Sequence, residues 1–564
     1  MIGASEESML IKRFFPYTLL VLSQSVFAEQ QYPSSGSQMQ QIPPLPIREQ
    51  ATPKFEVKQN SVPPIPKQDN TKIIVKSLRI SGGKAFSDAE VLAVTGFKEN
   101  SLLSLTDLRG MTARIADFYH QNGYFVAQAY LPAQDIKEGV ITIVVVIGQY
   151  GKINLNNQSK LNNNVANSIL HGLNTGDRIS SDPLEERLLL LSDLPGVRVN
   201  STLFPATTKG ASDLNVDLTP TRRITGSLDA DNAGNRYTGM YRGGGTINFN
   251  EPFGQGDVAS LRMLTAGSGL NYGRANYQMQ FGKANAGVTY SYLNYQLGKD
   301  FKNLDQHGTQ QIATIYGNYP LIRARNNNLF AQLAYDEKFF HDTTGLTGFV
   351  ADKRAHVVRT SLYGDHRDDF FGGGIDTFSA TLSSGFIDLQ NPYSRAFDSA
   401  TARTNGFYNK FSFYGNRLQQ IASGFSLFAS VNGQVASKNL DVSEKMELGG
   451  MYAVRAYPEG EAYSDQGAVI TVEGRQTLPR FYDPLPGQMQ FIGFIDTGIA
   501  DAYQHTWASG TNNRTLIGGG VGLTWIDVNN FAVRTYYAHR IGNDKVVSGP
   551  DQAGQFWFQV VKYF

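Results

Sequence analysis

From about Arg223 to the C-terminal Phe564 the chain is a succession of short runs in which apolar and polar residues alternate, divided by turn-forming residues. Phe425, Leu427, Ala429, Val431 and Val435 alternate with Ser426, Ser430, Asn432 and Gln434. Phe378, Ala380, Leu382 and Phe386 alternate with Ser379, Thr381 and Ser383, and Leu329, Ala331, Leu333 and Tyr335 stand opposite Gln332 and Asp336. A period of two residues is that of a β-strand whose two faces meet different surroundings. A soluble β-sandwich has no use for so many successive segments of this kind, whereas a membrane barrel shows lipid an apolar face and keeps a polar lumen. With strands of ~9–11 residues and about 20 residues per strand and turn, the region accommodates about sixteen antiparallel strands, an even count being preferred. Phe556, Phe558, Val560 and Phe564 close the chain in one phase; Lys562 interrupts it near the interface, where a lysine snorkels.

The rest of the composition excludes more than it suggests. A chain of 564 residues holds several units. A net charge of +1 offers no basic face for nucleic acid. The absence of cysteine removes thiolate metal sites, disulfides and cysteine nucleophiles. The eight histidines are scattered without ligand spacing, and His366, beside Asp365, Asp368 and Asp369, reads as part of a solvated loop. Gly243-Gly244-Gly245 and Gly518-Gly519-Gly520 lack the helix and the Lys-Ser/Thr ending of a phosphate cradle, and read as sites of barrel kinks and close packing. No nucleophile elbow or acid–base constellation stands out, so no enzymatic activity, cofactor or metal is expected.

The N-terminal part divides by texture. Residues 1–28 form a signal peptide: Lys12-Arg13 is the basic region, Phe14 to Leu22 the apolar core, and Val26-Phe27-Ala28 the cleavage site. Residues 29–70 are a proline-rich linker with room for one short helix between Ser34 and Ile42. No later stretch is long and apolar enough for a transmembrane helix. Residues 71–149 read as a compact α/β unit. It has a strand over 73–80, a helix capped by Ser87, and a second helix capped by Thr106 that puts Leu108, Met111, Ile115 and Phe118-Tyr119 on one face. Strands over Tyr124 to Leu131 and Val140 to Ile147 complete it. The same order repeats over 150–220, with helices over Val165 to Leu170 and from Asp182-Pro183 to Leu191.

Two charges stand out within the barrel region. Arg455 lies in Val454-Arg455-Ala456-Tyr457-Pro458, bounded by proline and glycine. Asp496 lies in the alternating run Gln490, Ile492, Phe494, Asp496. A charge facing lipid at mid-membrane costs about 2–4 kcal/mol, carboxylates less, so Asp496 is expected to face the lumen. The arginine fork grips a carboxylate bidentately and fixes direction as well as place. Proline at 458 stiffens the neighbouring turn.

At these residues the chain resembles the TpsB family, the outer-membrane transporters of two-partner secretion. Asn122-Gly123-Tyr124-Phe125-Val126-Ala127 with Gly139 to Gly148 is similar to the family's first POTRA domain. Asp231 to Asn235, Arg242-Gly243-Gly244 and Asn250-Glu251-Pro252-Phe253-Gly254 are similar to its opening barrel hairpin. Val454-Arg455-Ala456-Tyr457 resembles its lid-loop motif, with alanine where glycine is usual, and Phe494-x-Asp496 its barrel-wall motif. The resemblance implies two POTRA domains, over 71–149 and 150–220, and a barrel over 221–564 with a lid loop around 446–466. It implies a latch between Arg455 and Asp496, with Val454, Tyr457 and Pro458 at the loop tip and Phe494 on the wall. It further implies a short plug helix in the linker and export of a large β-helical secreted partner across the outer-membrane lipid; a monomer is the default expectation. An exposed sheet edge captures extended chain by strand addition, and Tyr124, Val126 and Leu131 are the candidate substrate-binding residues. A barrel-assembly factor of the same superfamily is the alternative reading.

Overall fold

The computed structural model describes residues 33–44, 53–57, 71–136, 138–208, 210–480 and 484–564. The signal peptide and most of the linker lie outside the described residues. The first described element is helix α1 (Ser35–Gln40), followed by strand β1 (Lys54–Val57).

The first small domain contains β2 (Lys72–Val75), β3 (Ser77–Gly82), α2 (Asp88–Thr95), β4 (Ser101–Ser104), α3 (Leu105–Gln121), β5 (Gln128–Tyr130) and β6 (Val140–Val146). Its main sheet runs β3-β6-β5. Ser87 and Glu90 form the capping box that starts α2, and Gly96 ends it in the left-handed region. The cap of α3 is Ser104 rather than the expected Thr106. Its hydroxyl bonds the Asp107 amide while the Asp107 carboxylate bonds back to the Ser104 amide, satisfying two orphan donors at once. Leu108, Met111, Ile115 and Tyr119 then bury on the sheet. The strand expected over Tyr124 to Leu131 shrinks to three residues, because a turn from the Ala127 amide to the Tyr124 carbonyl (2.9 Å) takes up its first half.

The second small domain contains β7 (Gln149–Asn157), α4 (Asn163–Leu170), α5 (Ser181–Ser192), β8 (Val197–Pro205) and β9 (Ala211–Pro220). Asn162 caps α4, which starts at Asn163, two residues before the expected start. α5 begins at Ser181, whose amide bonds Gly123 of the first domain, so Pro183 lies inside the first turn rather than at its opening. The sheet order is β1-β8-β9-β7, so the linker strand β1 has added itself in parallel to the edge of this domain, Phe55 opposite Ser201.

Sixteen antiparallel strands close the barrel. They are β10 (Ile224–Asp231), β11 (Arg242–Asn250), β12 (Val258–Thr265), β13 (Leu270–Phe281), β14 (Ala284–Gln296), β15 (Gln306–Arg323), β16 (Asn327–Thr344), β17 (Phe349–Asp368) and β18 (Gly374–Leu389). After α6 (Pro392–Ala400) come β19 (Gly406–Ala422) and β20 (Phe425–Ala436). A small hairpin of β21 (Met446–Glu447) and β22 (Tyr463–Ser464) stands apart from the wall, which continues through β23 (Gln466–Thr477), β24 (Gln488–Asp501), β25 (Asn513–Asp527), β26 (Phe531–Arg540) and β27 (Gly554–Tyr563). The seam between β10 and β27 pairs Ser227 to Asp231 with Tyr563 to Gln559, extended by mutual backbone bonds between Gly226 and Phe564. As the alternation requires, Leu333, Leu382, Leu427 and Ile495 point outward while Asp336, Ser383, Gln434 and Asp496 point in.

The second domain is pinned to the periplasmic turns of the barrel by charge. The Arg323 guanidinium grips Asp193 with bonds of 2.8 and 2.7 Å, Lys283 pairs with Glu186 at 2.6 Å, and Arg325 bonds Glu185. The Asn162 amide adds a bond to the Gly254 carbonyl.

Candidate functional site in the barrel lumen

The segment joining β20 to β23 folds into the lumen instead of arching over it. Val454, Ala456 and Tyr457 are fully buried there, with Leu448, in a cluster that includes Val469, Ile492, Phe494 and Leu516 of the wall. The loop is shaped by its own backbone: the Val454 amide bonds Leu448, the Tyr457 amide bonds Val454, and the Gly450 amide bonds Tyr457. Pro458 follows half-buried, its carbonyl against Gly449.

Arg455 projects from this loop into a polar socket. Its Nε and Nη2 bond the two oxygens of Asp496 at 2.8 and 2.7 Å, and its backbone amide bonds the same carboxylate at 3.1 Å. Thr471 of β23 donates to Asp496 as well, at 2.9 Å. The remaining Nη1 faces Glu473 at 2.8 Å, which Arg475 balances at 2.7 Å. The guanidinium lies over the Phe494 ring, 3.4 Å from its centroid, with Tyr536 at 5.1 Å. The Trp557 indole of β27 donates to the Arg455 carbonyl at 2.7 Å. The lid is thus bound to β23, β24 and the last strand together. Burial of an ion pair stabilises only where the leftover donors and acceptors are matched, and here they are.

Further contacts hold the flanks of the loop. Tyr457 donates to the Asp544 carbonyl at 3.0 Å. Glu461 takes Arg514 at 2.7 Å and the Ser548 amide at 2.9 Å, tying the lid to the loop between β26 and β27. Glu447 and Glu459 face each other near the Arg242–Asp231 pair. Burial, then the neighbouring carboxylate, pushes Glu447 well up, and burial raises Glu459 to about 7.

Helix α1 occupies the outer half of the same lumen. The Ser35 amide and hydroxyl bond the two oxygens of Asp342 at 2.8 and 2.9 Å, where Tyr295 also donates. Thr238 bonds Gln38 at 2.7 Å, Gln41 donates to Tyr463 at 2.6 Å, and Arg242 donates to the Gln41 carbonyl at 2.6 Å. Met39 and Ile42 pack against wall residues Leu264, Leu270, Tyr272 and Leu293. Gly36 passes so close to Ser443 that an added Cβ would sit 2.7 Å from the serine Cβ. The helix bonds the wall and the lid together, since Tyr463 and Val442 belong to the loop.

The structure therefore brings together Val454, Arg455, Tyr457, Phe494 and Asp496, and places Pro458 beside them. It does not gather Tyr124, Val126 and Leu131 into one exposed surface. Tyr124 lies edge-on to Phe86 at 5.9 Å and Leu131 packs on the same core, while Val126 packs on the second domain. Sequence reasoning missed Glu473, Trp557 and Asp342. Glu473 was within reach, since it shares the inward phase of Val469 and Thr471 exactly as Asp496 shares that of Phe494.

Comparison with known proteins agrees with this architecture. Residues 210–525 match the family described as haemolysin secretion/activation protein ShlB/FhaC/HecB, and residues 73–148 match its ShlB-type POTRA domain. The chain is 27% identical to the heme/hemopexin transporter protein HuxB of Haemophilus influenzae over 96% of this chain and 97% of that one. It is 22% identical to the outer membrane transporter CdiB of Dickeya dadantii over 80% of each chain. The solved structure of CdiB from Escherichia coli has the same fold, with a TM-score of 0.68 at 18% identity, covering 90% of this chain and 92% of that one. The chain belongs to the haemolysin secretion/activation protein ShlB/FhaC/HecB family, and is an outer-membrane barrel transporter with its POTRA region in the periplasm.

Proposed function

We propose that this chain, as a lipid-embedded monomer, exports a large, unfolded, β-helical partner protein through its lumen, which α1 and the lid loop close at rest. The observation that carries the reading is the character of the closure. Both segments are held by polar side-chain bonds to the wall, and neither contributes to its backbone ladder. Removing them leaves a closed barrel with a polar bore.

In this reading Arg455 and Asp496 are the latch, Val454, Tyr457 and Pro458 shape the tip, and Phe494 seats the guanidinium. Capture of extended partner begins at the edge of β8, which β1 covers, so that entering chain replaces β1 in the same backbone ladder. Of the three candidate residues Val126 supports this edge, through the junction where its neighbour Phe125 meets Phe55 of β1 edge-on at 5.3 Å, while Tyr124 and Leu131 hold the core of the first domain behind it. With no nucleotide in the periplasm, folding of the partner outside the cell supplies direction.

Insertion of other barrels is the second reading; the fold is shared with BamA from Haemophilus ducreyi lacking POTRA domains 1–3, TM-score 0.53 at 13% identity. One experiment separates them. Arg455→Ala leaves Asp496 buried without its partner, a loss of about 3–5 kcal/mol in the docked lid. Secretion of the partner should fall sharply while the amount of folded transporter and of other outer-membrane barrels stays level. Unchanged secretion at equal surface level refutes the latch, and a general loss of other barrels favours the insertase.

A further inference from the structure

Helix α6, in the extracellular loop between β18 and β19, is amphipathic the wrong way round for a helix on a soluble surface. Its polar side faces the protein. Asp398 is buried and accepts bonds from the Thr404 amide and hydroxyl at 2.8 and 2.7 Å and from the Asn405 amide at 3.0 Å. Ser394 lies on the same side, one turn earlier, and Asn391 caps the N-terminus through the Tyr393 amide. The outward stripe is Tyr393, Ala396, Phe397 and Ala400, at the spacing of one helix face. Tyr393 is 81% exposed and Phe397 51%.

Two contacts fix where this stripe lies. Arg395 reaches back to Asp388 at 2.8 Å and to the Leu389 carbonyl at 2.8 Å. Asp388 has the outward phase of β18, the phase of Leu382 and Phe386, so the helix sits against the outer side of the wall. Below it, Phe386 meets Phe407 edge-on at 4.7 Å, and Phe407, 80% exposed, opens the outward row continued by Phe411 and Phe413 on β19. The apolar stripe of α6 and this outward aromatic row thus lie at the same end of β18 and β19.

We propose that α6 is an interfacial helix, its Tyr393–Phe397 face sunk at the boundary between headgroups and acyl chains of the outer leaflet. An in-plane helix with an apolar face and basic flanks binds such a boundary, and aromatic side chains collect at that level in membrane barrels. Arg395 neutralises Asp388 at the same depth, and Arg403 lies at the far end of the helix. The loop thereby fixes the height of the β18 side of the barrel in the membrane.

The absence of cysteine makes the test direct. Phe397→Cys and, on the same stripe, Ala400→Cys are labelled with bimane and reconstituted in phosphatidylethanolamine–phosphatidylglycerol vesicles doped with doxyl-labelled phosphatidylcholine. Leu382→Cys is the lipid-facing reference, and Ser399→Cys, exposed on the flank of the helix beside the stripe, the aqueous one. Heat-modifiable migration on gels confirms each barrel is folded. The expected result is loss of emission at 397 and 400 equal to that at 382 on adding doxyl lipid, with aqueous iodide quenching only 399. Iodide quenching of 397 and 400 to the extent seen at 399, without response to doxyl lipid, overturns the proposal. Protection from both quenchers that disappears on dilution of the protein assigns the face to a second copy and overturns it equally.

Discussion

The alanine at the position where the lid motif usually has glycine has its counterpart in the wall. Ala456 is fully buried with its Cβ directed at Gly518 of β25, where an added Cβ would lie 2.4 Å from it. The tip keeps its place because the wall gave up a side chain. Gly518→Ala should therefore weaken lid docking by about 1–3 kcal/mol, the usual range for overpacking, and raise the open fraction of single channels in planar bilayers. Ala456→Gly in the same molecule should restore the resting conductance, a coupling that two independent substitutions would not show. Protonation offers a second handle at this scale. Glu459, buried beside Glu447 with Arg242, Asp231 and Tyr463 around it, carries its proton up to about pH 7 when the lid is docked. A carboxyl freed into water releases its proton near its ordinary value, about 4.3. The docked state hence binds more protons across that window, so falling pH favours docking and rising pH removes the advantage. Channel opening should increase as pH is raised from about 4.5 to about 7, and Glu459→Gln should flatten the response.

Helix α1 is the element least visible from local sequence. Ser-Gly-Ser-Gln-Met-Gln has poor helix propensity, and six residues are too few to hold a helix alone in water. Its order comes from partners hundreds of positions away, such as Asp342, so only the bare room for a helix could be read in advance. β1 was hidden for the same reason, four residues among prolines that gain their ladder from β8. The wall was legible because the contrast between lipid and lumen imposes a period of two on every strand, and that same phase put Asp496 on the correct side. The strand over Tyr124 to Leu131 misled because its alternation continued through residues that a turn had already claimed. For α1 the close pass at Ser443 decides the prediction. Gly36→Leu should expel the helix and raise resting conductance in bilayers, with heat-modifiable barrel folding unchanged.

At the scale of the molecule, the periplasmic region and the barrel are joined through charges on one helix and its end. Glu185, Glu186 and Asp193 all face basic residues of the barrel turns. Reversing two of them, as Glu186→Lys with Asp193→Lys, should release the second domain. The backbone between Pro220 and Ile224 should then be cut faster by limited proteolysis, while α1 and the lid stay docked. Each half-exposed pair contributes about 1 kcal/mol or less, so salt should reproduce part of the effect in the unsubstituted protein. The lid hairpin of β21 and β22, which shares no backbone ladder with the barrel, carries a kinetic consequence. Opening breaks side-chain clasps but no rung of the wall, so it proceeds at the pace of lid opening, roughly microseconds to milliseconds, rather than at the far slower pace of unfolding a sheet. The passage can be emptied and refilled many times within the lifetime of a single intact barrel.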